Sequence, residues 1–266
     1  MKIGFIGTGN MGGALARAAA KGGHTLLLAN RTPAKAEALA KELGGTVCPN
    51  AEAAETAELL FLGVKPQGLP GLAGELAPVL QARKGNAPVV VSMATAVTLR
   101  ELDAMLGGGL PLIRIMPNTP AAVGAGTILY AAQNVTDAQL NAFHAVLAQA
   151  GLLLPLPEAQ IDAASAISGC GPAFCFQFAD ALALGGVRAG LSYPDACRLA
   201  AQTMLGAAEM LLQGGEAPDV LKMRVCSPAG TTIEGVLALE QGGFSYTVQN
   251  AVTAAYRRTV EMTRKG

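Results

Sequence analysis

Charge is scarce in this chain of 266 residues, since only 14% of them are Asp, Glu, Lys or Arg. The 19 basic and 19 acidic residues cancel to a net charge of zero, which excludes a general nucleic-acid binder with its basic excess. The chain has no tryptophan and only two histidines, His24 and His144, which lie far apart in the sequence. We therefore expect no histidine-based metal site.

Long apolar runs are also missing, although hydrophobic residues make up 51% of the chain. No stretch of about 18 apolar residues is free of charge, so we predict no membrane-spanning helix. The apolar stretch after Met1 is too short for a signal peptide. Five cysteines, none of them in a C-x-x-C pair, indicate reduced thiols. We expect a cytoplasmic protein that binds neither membranes nor nucleic acids.

Short apolar runs alternate with alanine-rich helical patterns in the first half of the chain. This alternation predicts a doubly wound parallel sheet, a Rossmann-type α/β fold. The predicted strands are Lys2–Ile6, Thr25–Ala29, Leu59–Leu62, Val89–Ser92 and Leu112–Met116, with Ile128–Ala131 and Leu152–Leu154 extending the sheet. The predicted helices between them are Met11–Lys21, Ala34–Leu43, Gly68–Gln81, Thr98–Leu106 and Asp137–Gln149.

Prolines 155 and 157 follow the last predicted strand, and from Ile161 onward the sequence shows only helical periodicity. We therefore predict a boundary near residue 157, with an α/β domain over residues 1–157 and an all-α domain over residues 158–266. The helical half carries more apolar surface than a single amphipathic layer buries. This excess predicts a homodimer or a higher homo-oligomer.

A G-x-G-x-x-G motif separates the first predicted strand from the first predicted helix, a context typical of dinucleotide-binding turns. Gly7 permits the tight turn, Gly9 lets a pyrophosphate approach the backbone, and Gly12 lets the helix pack on the sheet. The N–H groups at the helix start favour an anion. The other positions of the motif are Thr8, Asn10 and Met11. An ordinary glycine-rich turn is the structural alternative.

Asn30, Arg31 and Thr32 follow the second predicted strand, where NAD-binding proteins usually place an acid for the ribose 2′-hydroxyl. No Asp or Glu occurs between the glycine motif and Glu37. An arginine fork with short amide and hydroxyl groups beside it suits a 2′-phosphate, so we favour NADPH over NADH. The alternative is that Arg31 is a solvated turn residue.

Two further predicted strands end in candidate ligand contacts, because carboxyl ends of parallel strands face the ligand crevice. Gly63-Val64-Lys65-Pro66 follows one strand, and Lys65 is either a cofactor contact or a solvated loop lysine. Met116-Pro117-Asn118-Thr119-Pro120 follows another strand. Its prolines make the turn rigid, so that Asn118 projects an amide into the crevice or serves the turn itself.

Two polar breaks interrupt the helical half, at residues 168–173 and 227–234. In the second break, Gly230-Thr231-Thr232 starts a helix, and a helix start seats a carboxylate on its backbone N–H groups. A threonine hydroxyl would then serve the reacting centre. Plain helix capping is the alternative, since Thr231 and Glu234 have the spacing of a capping box.

In combination, these motifs resemble the pyrroline-5-carboxylate reductase family over essentially the whole chain. The resemblance rests on the glycine motif, Val64–Pro66, Met116–Pro120, Ser168–Ala173 and Ser227–Ile233. It implies that an N-terminal Rossmann domain binds NADPH and that a C-terminal helical domain forms a dimer and completes the substrate site. It also implies the reduction of 1-pyrroline-5-carboxylate to L-proline, the last step of proline biosynthesis.

The resemblance further implies roles for particular residues. Gly230, Thr231 and Thr232 would hold the substrate carboxylate and ring nitrogen, with Ser227 in the same loop and Thr232 as the catalytic hydroxyl. The implied cofactor contacts outside the glycine motif include Asn50, Lys65, Ser92, Met93 and Ala94. One departure from the family pattern is Ala229, which stands where glycine is usual.

Two other functions stay open from the residues alone. The β-hydroxyacid dehydrogenases have a similar layout, but they carry a lysine on the first long helix after a glycine turn. The corresponding stretch here, Gly171–Asp180, contains no lysine. A non-catalytic dinucleotide-binding protein would explain the glycine motif but gives no reason for residues 227–232.

Overall fold

The computed structural model describes residues 1–263 and contains one eight-stranded sheet in the order β3-β2-β1-β4-β5-β6-β7-β8. The chain continues after the sheet as helices alone. The strands are β1 Lys2–Ile6, β2 Thr25–Ala29, β3 Thr46–Val47, β4 Leu59–Leu62, β5 Val89–Ser92, β6 Leu112–Pro117, β7 Gly126–Gln133 and β8 Gly151–Pro155.

Within the described residues 1–263, seven α-helices accompany the sheet and five follow it. Those with the sheet are α1 Asn10–Ala20, α2 Pro33–Leu43, α3 Asn50–Thr56, α4 Leu69–Ala82, α5 Leu99–Met105, α6 Asp137–Leu147 and α7 Glu158–Ser168. Those that follow are α8 Gly171–Arg188, α9 Tyr193–Gly214, α10 Pro218–Val225, α11 Thr231–Gln241 and α12 Phe244–Thr263. Short 3-10 turns lie at Pro66–Gly68, Lys84–Asn86 and Thr119–Val123.

The strand order reverses at β1, which has β2 on one side and β4 on the other. In an open α/β sheet this reversal leaves a crevice at the carboxyl ends of the two strands, and ligands bind there. The predicted Rossmann-type sheet and the helical second half are both confirmed. The glycine motif after β1 and the loop after β4 meet at the crevice.

The predicted parallel sheet needs one correction, because β7 pairs antiparallel with β6. Only residues 118–125 connect these two strands. A parallel crossover takes about a dozen residues or more, so this connection is too short for one. Helix α6 then returns the chain for β8 to run parallel to β7.

Two short elements were absent from the sequence prediction, strand β3 and helix α3. Strand β3 has two exposed residues, and α3 has only seven residues, so neither shows a hydrophobic period long enough to detect. Helix α3 begins at Asn50, which the family resemblance implies as a cofactor contact.

The strands β1, β2, β4, β5 and β6 are buried on both faces apart from the first residues of β1 and β2, which explains why they are continuous apolar runs. On one face Phe5 and Phe61 stack with ring centroids 4.6 Å apart. On the other, Leu60 and Leu62 pack against the leucines of α4. Successive residues of β4 therefore point to opposite layers, and both layers hold its end in place.

The contacts divide the chain into two compact units, residues 1–170 with the segment from Tyr256, and residues 171–255. The first unit contains the sheet and α7. Within the second unit, Tyr193 at the start of α9 donates a hydrogen bond of 2.7 Å to Asp180 on α8. This bond raises the pKa of Tyr193 to about 12.

The second unit leaves most of its apolar side chains in solvent. Among its described residues the buried hydrophobic ones are Ala183, Ala196 and Ala200, whereas Phe176 and Leu212 are exposed. The helical stretch 158–188 is long and apolar enough to cross a membrane by length and composition, a test that core helices of soluble proteins also pass. The apolar surface of this unit is therefore large for a chain in isolation.

Candidate active site

Backbone atoms meet directly where β1 and β4 end. Gly7 has a φ of +98°, which favours glycine, and a Cβ on it would lie 2.5 Å from the carbonyl oxygen of Gly63. A Cβ on Gly12 or on Gly63 would collide with the carbonyl oxygen of Gly7. These three glycines are therefore required by packing inside the protein, and Gly12 fits the start of α1 against the turn itself.

Gly9 has a different environment, because nothing lies within 4 Å of the position that its Cβ would take. Gly9 is also the N-cap of α1, and no side chain caps that helix. The buried hydroxyl of Thr8 beside it has no hydrogen-bond partner in the structure. Free N–H groups, an unpartnered hydroxyl and open space fit a pyrophosphate at this helix start. Asn10 and Met11 form the first turn of α1.

Asn30 joins the glycine motif to the loop after β2. Its Oδ1 accepts a hydrogen bond from the Thr8 N–H, and its Nδ2 donates to the Thr32 carbonyl, both at 3.0 Å. Asn30 therefore holds the glycine turn and orients the backbone on either side of Arg31. This role is one of positioning, in addition to any contact with a ligand.

Arg31 is exposed and has no ion pair among residues 1–263. Arg17, by contrast, makes two hydrogen bonds of 2.6 Å to Glu42. That pairing raises the pKa of Arg17 and lowers the pKa of Glu42. Of these two arginines, Arg31 is the cation that is free to bind a 2′-phosphate.

A cleft of about 270 Å³ opens at the carboxyl ends of β4, β5 and β6. Its walls include six residues predicted from the sequence as cofactor contacts, namely Met11, Gly63, Val64, Lys65, Pro66 and Met93. Thr95, Met116 and Pro117 also line it and were not predicted as contacts. These three residues lie at strand ends or just after them. The same signal identified other cofactor contacts and would have identified these as well.

Besides residues of the glycine motif and the loop after β2, four predicted cofactor residues lie outside the cleft walls. Ser92 and Ala94 are buried, and the Ala94 N–H donates to Ser92 Oγ at 3.3 Å. Asn50 donates from Nδ2 to Glu75 on α4 at 3.0 Å. Asn118 does not project its amide into the crevice: its Nδ2 donates to the Ser168 carbonyl and its Oδ1 accepts from the Thr127 N–H, both at 2.8 Å.

In the second unit, a tight turn leads into α11. The Gly230 N–H donates to the Ser227 carbonyl at 3.0 Å, and Ala229 has a φ of +55°. Proline at the second position and a positive φ at the third give the pattern of a type II turn, which favours glycine at the third. Gly230 is the N-cap of α11, and no side chain caps this helix.

The capping box suggested by the spacing of Thr231 and Glu234 does not form, because the helix begins at Thr231, one residue earlier than that pattern requires. Thr231 and Thr232 are the first two residues of α11, and both are exposed, as is Ser227. The first N–H groups of a helix have no partner within it. This end of α11 therefore offers N–H groups and two hydroxyls together, which suits a carboxylate with a polar neighbour.

The contrast between Gly9 and Gly12 gives a test of the pyrophosphate site. Gly9→Ala should leave the urea midpoint of unfolding unchanged and raise the Kd for NADPH about 10-fold or more, because its methyl group enters the ligand's space and displaces a charge-assisted contact. Gly12→Ala is the matched variant. It should lower stability by about 1–3 kcal/mol, since its methyl group meets backbone. Equal NADPH affinity in Gly9→Ala and wild type would contradict the site.

Two known family models match separate parts of the chain. Residues 158–262 match the model described as pyrroline-5-carboxylate reductase dimerisation. Residues 2–96 match the model described as NADP oxidoreductase, coenzyme F420-dependent. The two matches together cover the glycine motif, the loop after β4 and the turn before α11.

Full-length relatives and solved structures agree with both matches. The pyrroline-5-carboxylate reductase of Synechocystis sp. is 39% identical over 100% of this chain and 99% of its own length. The solved structure of that enzyme from Coxiella burnetii is similar at a TM-score of 0.89 and 32% identity, with 97% of each chain covered. The Plasmodium falciparum pyrroline carboxylate reductase, solved with NADP bound, has a TM-score of 0.86 at 30% identity and 99% coverage of both chains. The chain therefore belongs to the pyrroline-5-carboxylate reductase family, as the resemblance of its motifs predicted.

Proposed function

We propose that this protein reduces 1-pyrroline-5-carboxylate to L-proline with NADPH, as the last step of proline biosynthesis. The observation that carries the proposal is the uncapped first turn of α11, where Gly230, Thr231 and Thr232 present N–H groups and hydroxyls. In this substrate the carboxylate is attached to the ring carbon next to the nitrogen. The N–H groups of the helix start would bind the carboxylate, and a hydroxyl beside them would reach the nitrogen. The family membership of the whole chain supports the same reaction.

The residues of the first unit are suited to hold the cofactor. The turn from Gly7 to Gly12 and the free N–H groups of α1 would bind the pyrophosphate, and Arg31 would pair with the 2′-phosphate. The cleft beside Lys65 would hold the nicotinamide half. When bound, NADPH supplies the hydride that the carbon of the C=N bond accepts.

The chain has little need of a strong acid for this reaction. The ring nitrogen of the substrate carries its proton before reduction, so the protein must chiefly orient two bound molecules, which is worth about 7–11 kcal/mol. The Thr232 hydroxyl would donate a hydrogen bond to the lone pair that this nitrogen gains as hydride adds to the neighbouring carbon, so the bond forms along the reaction and lowers the barrier. A β-hydroxyacid dehydrogenase needs a positioned acid, and α8 contains no lysine to act as one.

We also propose a homodimer or larger homo-oligomer built through residues 158–266, with the domain division near residue 157. The match to the dimerisation model, which begins at residue 158, supports both proposals. The exposed apolar side chains of the second unit provide the surface for it. A cytoplasmic location is supported by five cysteines that are all unpaired.

A direct assay tests the reaction. Protein, NADPH and 1-pyrroline-5-carboxylate are mixed, the absorbance of reduced nicotinamide is followed, and proline is quantified. We expect one proline for each NADPH consumed, and no formation of NADPH when a 3-hydroxy acid is offered with NADP in the control. NADPH that persists in the presence of the imine would reject the proposed function.

The proposed contact between Arg31 and the 2′-phosphate can be tested by substitution. Arg31→Ala should raise the KM for NADPH by about 10- to 150-fold, the equivalent of a charge-assisted hydrogen bond, and change the KM for NADH little. Lys35→Ala, a nearby exposed cation, serves as the control for general charge effects. Equal changes for the two cofactors in Arg31→Ala would remove this residue from the role.

Substitutions of Thr232 test whether its hydroxyl takes part in the reaction. Thr232→Ala should lower turnover by about 10- to 100-fold with NADPH affinity unchanged, whereas Thr232→Ser should keep most activity because the hydroxyl remains. If Thr232 had no part in the reaction, Thr232→Ala would leave turnover at the wild-type level, and stability would change by less than about 0.5 kcal/mol because no side chain caps α11. Melting curves and steady-state rates of both variants distinguish the two cases.

A further inference from the structure

A charged side chain lies inside the first unit and has no role among those assigned above. Arg114 is in the middle of β6 between buried apolar neighbours, and its own side chain is only 3% exposed. Its Nη2 pairs with Asp162 Oδ1 at 2.5 Å and its Nη1 with Glu158 Oε1 at 3.4 Å. Both carboxylates belong to α7. We call these three residues the α7 clamp.

Stability alone gives a weak reason for the clamp. A buried ion pair loses much of its attraction to the cost of removing both charges from water, and apolar residues of similar volume often serve as well. Arg114 also leaves its Nε without a partner in the structure. What the clamp provides is a defined position, since a guanidinium that faces two carboxylates allows one arrangement of α7 on β6.

The other end of α7 is attached to the same strand. Asn118, which follows β6, donates to the Ser168 carbonyl at the last residue of α7. The ten steps from Glu158 to Ser168 span about 15 Å of helix, and the four steps from Arg114 to Asn118 span about 13 Å of strand. Because these lengths match, α7 lies along the end of β6 and is fixed at both of its ends.

The clamp also reaches the loop after β5. Glu158 Oε1 accepts a second hydrogen bond, of 2.6 Å, from the N–H of Leu99 at the start of α5. The segment from Ser92 to Thr98 ends there, and two of its residues, Met93 and Thr95, line the cleft. Met116 and Pro117, between the two attachment points of α7, line the cleft as well.

We propose that the α7 clamp is a positioning device for the reaction, with Arg114 as its central residue. It holds the walls of the cleft formed by Met93–Thr95 and by Met116–Pro117 in register, and so determines how the nicotinamide half of the cofactor lies. The proposal rests on the proposed function. It assigns no contact with the cofactor to Arg114, Glu158 or Asp162.

Glu158→Gln is the primary test, because it weakens the clamp while Arg114 keeps Asp162 as a partner. NADPH affinity should fall about 3- to 10-fold, and kcat should fall about 10-fold. The affinity for 2′,5′-ADP, which has no nicotinamide half, should stay within about 2-fold of wild type. Both affinities are measured by calorimetry, so this readout does not depend on turnover.

Three further variants make the result specific. Asp103→Asn is the matched control, because Asp103 accepts a backbone N–H bond of 2.9 Å from Gly109 at the far end of α5. It should change neither affinity nor kcat. Asp162→Asn should reproduce the effect of Glu158→Gln, and Asp162→Glu should restore part of it because the charge returns.

The outcomes separate the clamp from the proposed function. If wild-type protein does not consume NADPH with 1-pyrroline-5-carboxylate, the proposed function fails, and the comparison of NADPH with 2′,5′-ADP still tests the clamp. If wild type is active and Glu158→Gln binds NADPH and turns over as wild type does, the clamp proposal is overturned. Equal weakening of NADPH and 2′,5′-ADP would also overturn it, since that result indicates a general loss of folding.

Discussion

The whole cofactor side of this protein depends on the absence of side chains where β1 and β4 end. Gly7, Gly12 and Gly63 let the glycine turn, the start of α1 and the loop after β4 touch through their backbones. One added methyl group at any of them would force these segments apart. Because the segments touch, the N–H groups of α1 and the cleft beside Lys65 lie on neighbouring strand ends, within the reach of one dinucleotide.

Sequence patterns predicted the sheet well because most of its strands are buried on both faces, which makes each of these an apolar run between turns. The five strands from β1 to β6, other than the short β3, were located within one residue. The direction of β7 was not predictable from its own residues. It follows from the length of the connection after Pro117, which is a property of two strands together.

The candidate site was predictable where a residue's role follows from its neighbours in sequence. The glycine motif, the loop at Lys65 and the start of α11 are of this kind. The asparagines were harder, since Asn30 and Asn118 each use both ends of the amide within the protein. The pairing of Arg114 with Glu158 joins residues 44 positions apart, and no local pattern reports such a contact.

The attachment of α7 to β6 determines where the chain can be cut to make a fragment or joined to make a chimaera. The family model for the dimerisation region begins at Glu158 and therefore includes α7. The contacts of α7, however, place this helix in the unit that contains the sheet. A fragment ending at residue 157 would remove both carboxylates that pair with the Arg114 guanidinium. A chimaera of two relatives is therefore better joined after Cys170, because α7 and β6 then come from the same parent protein.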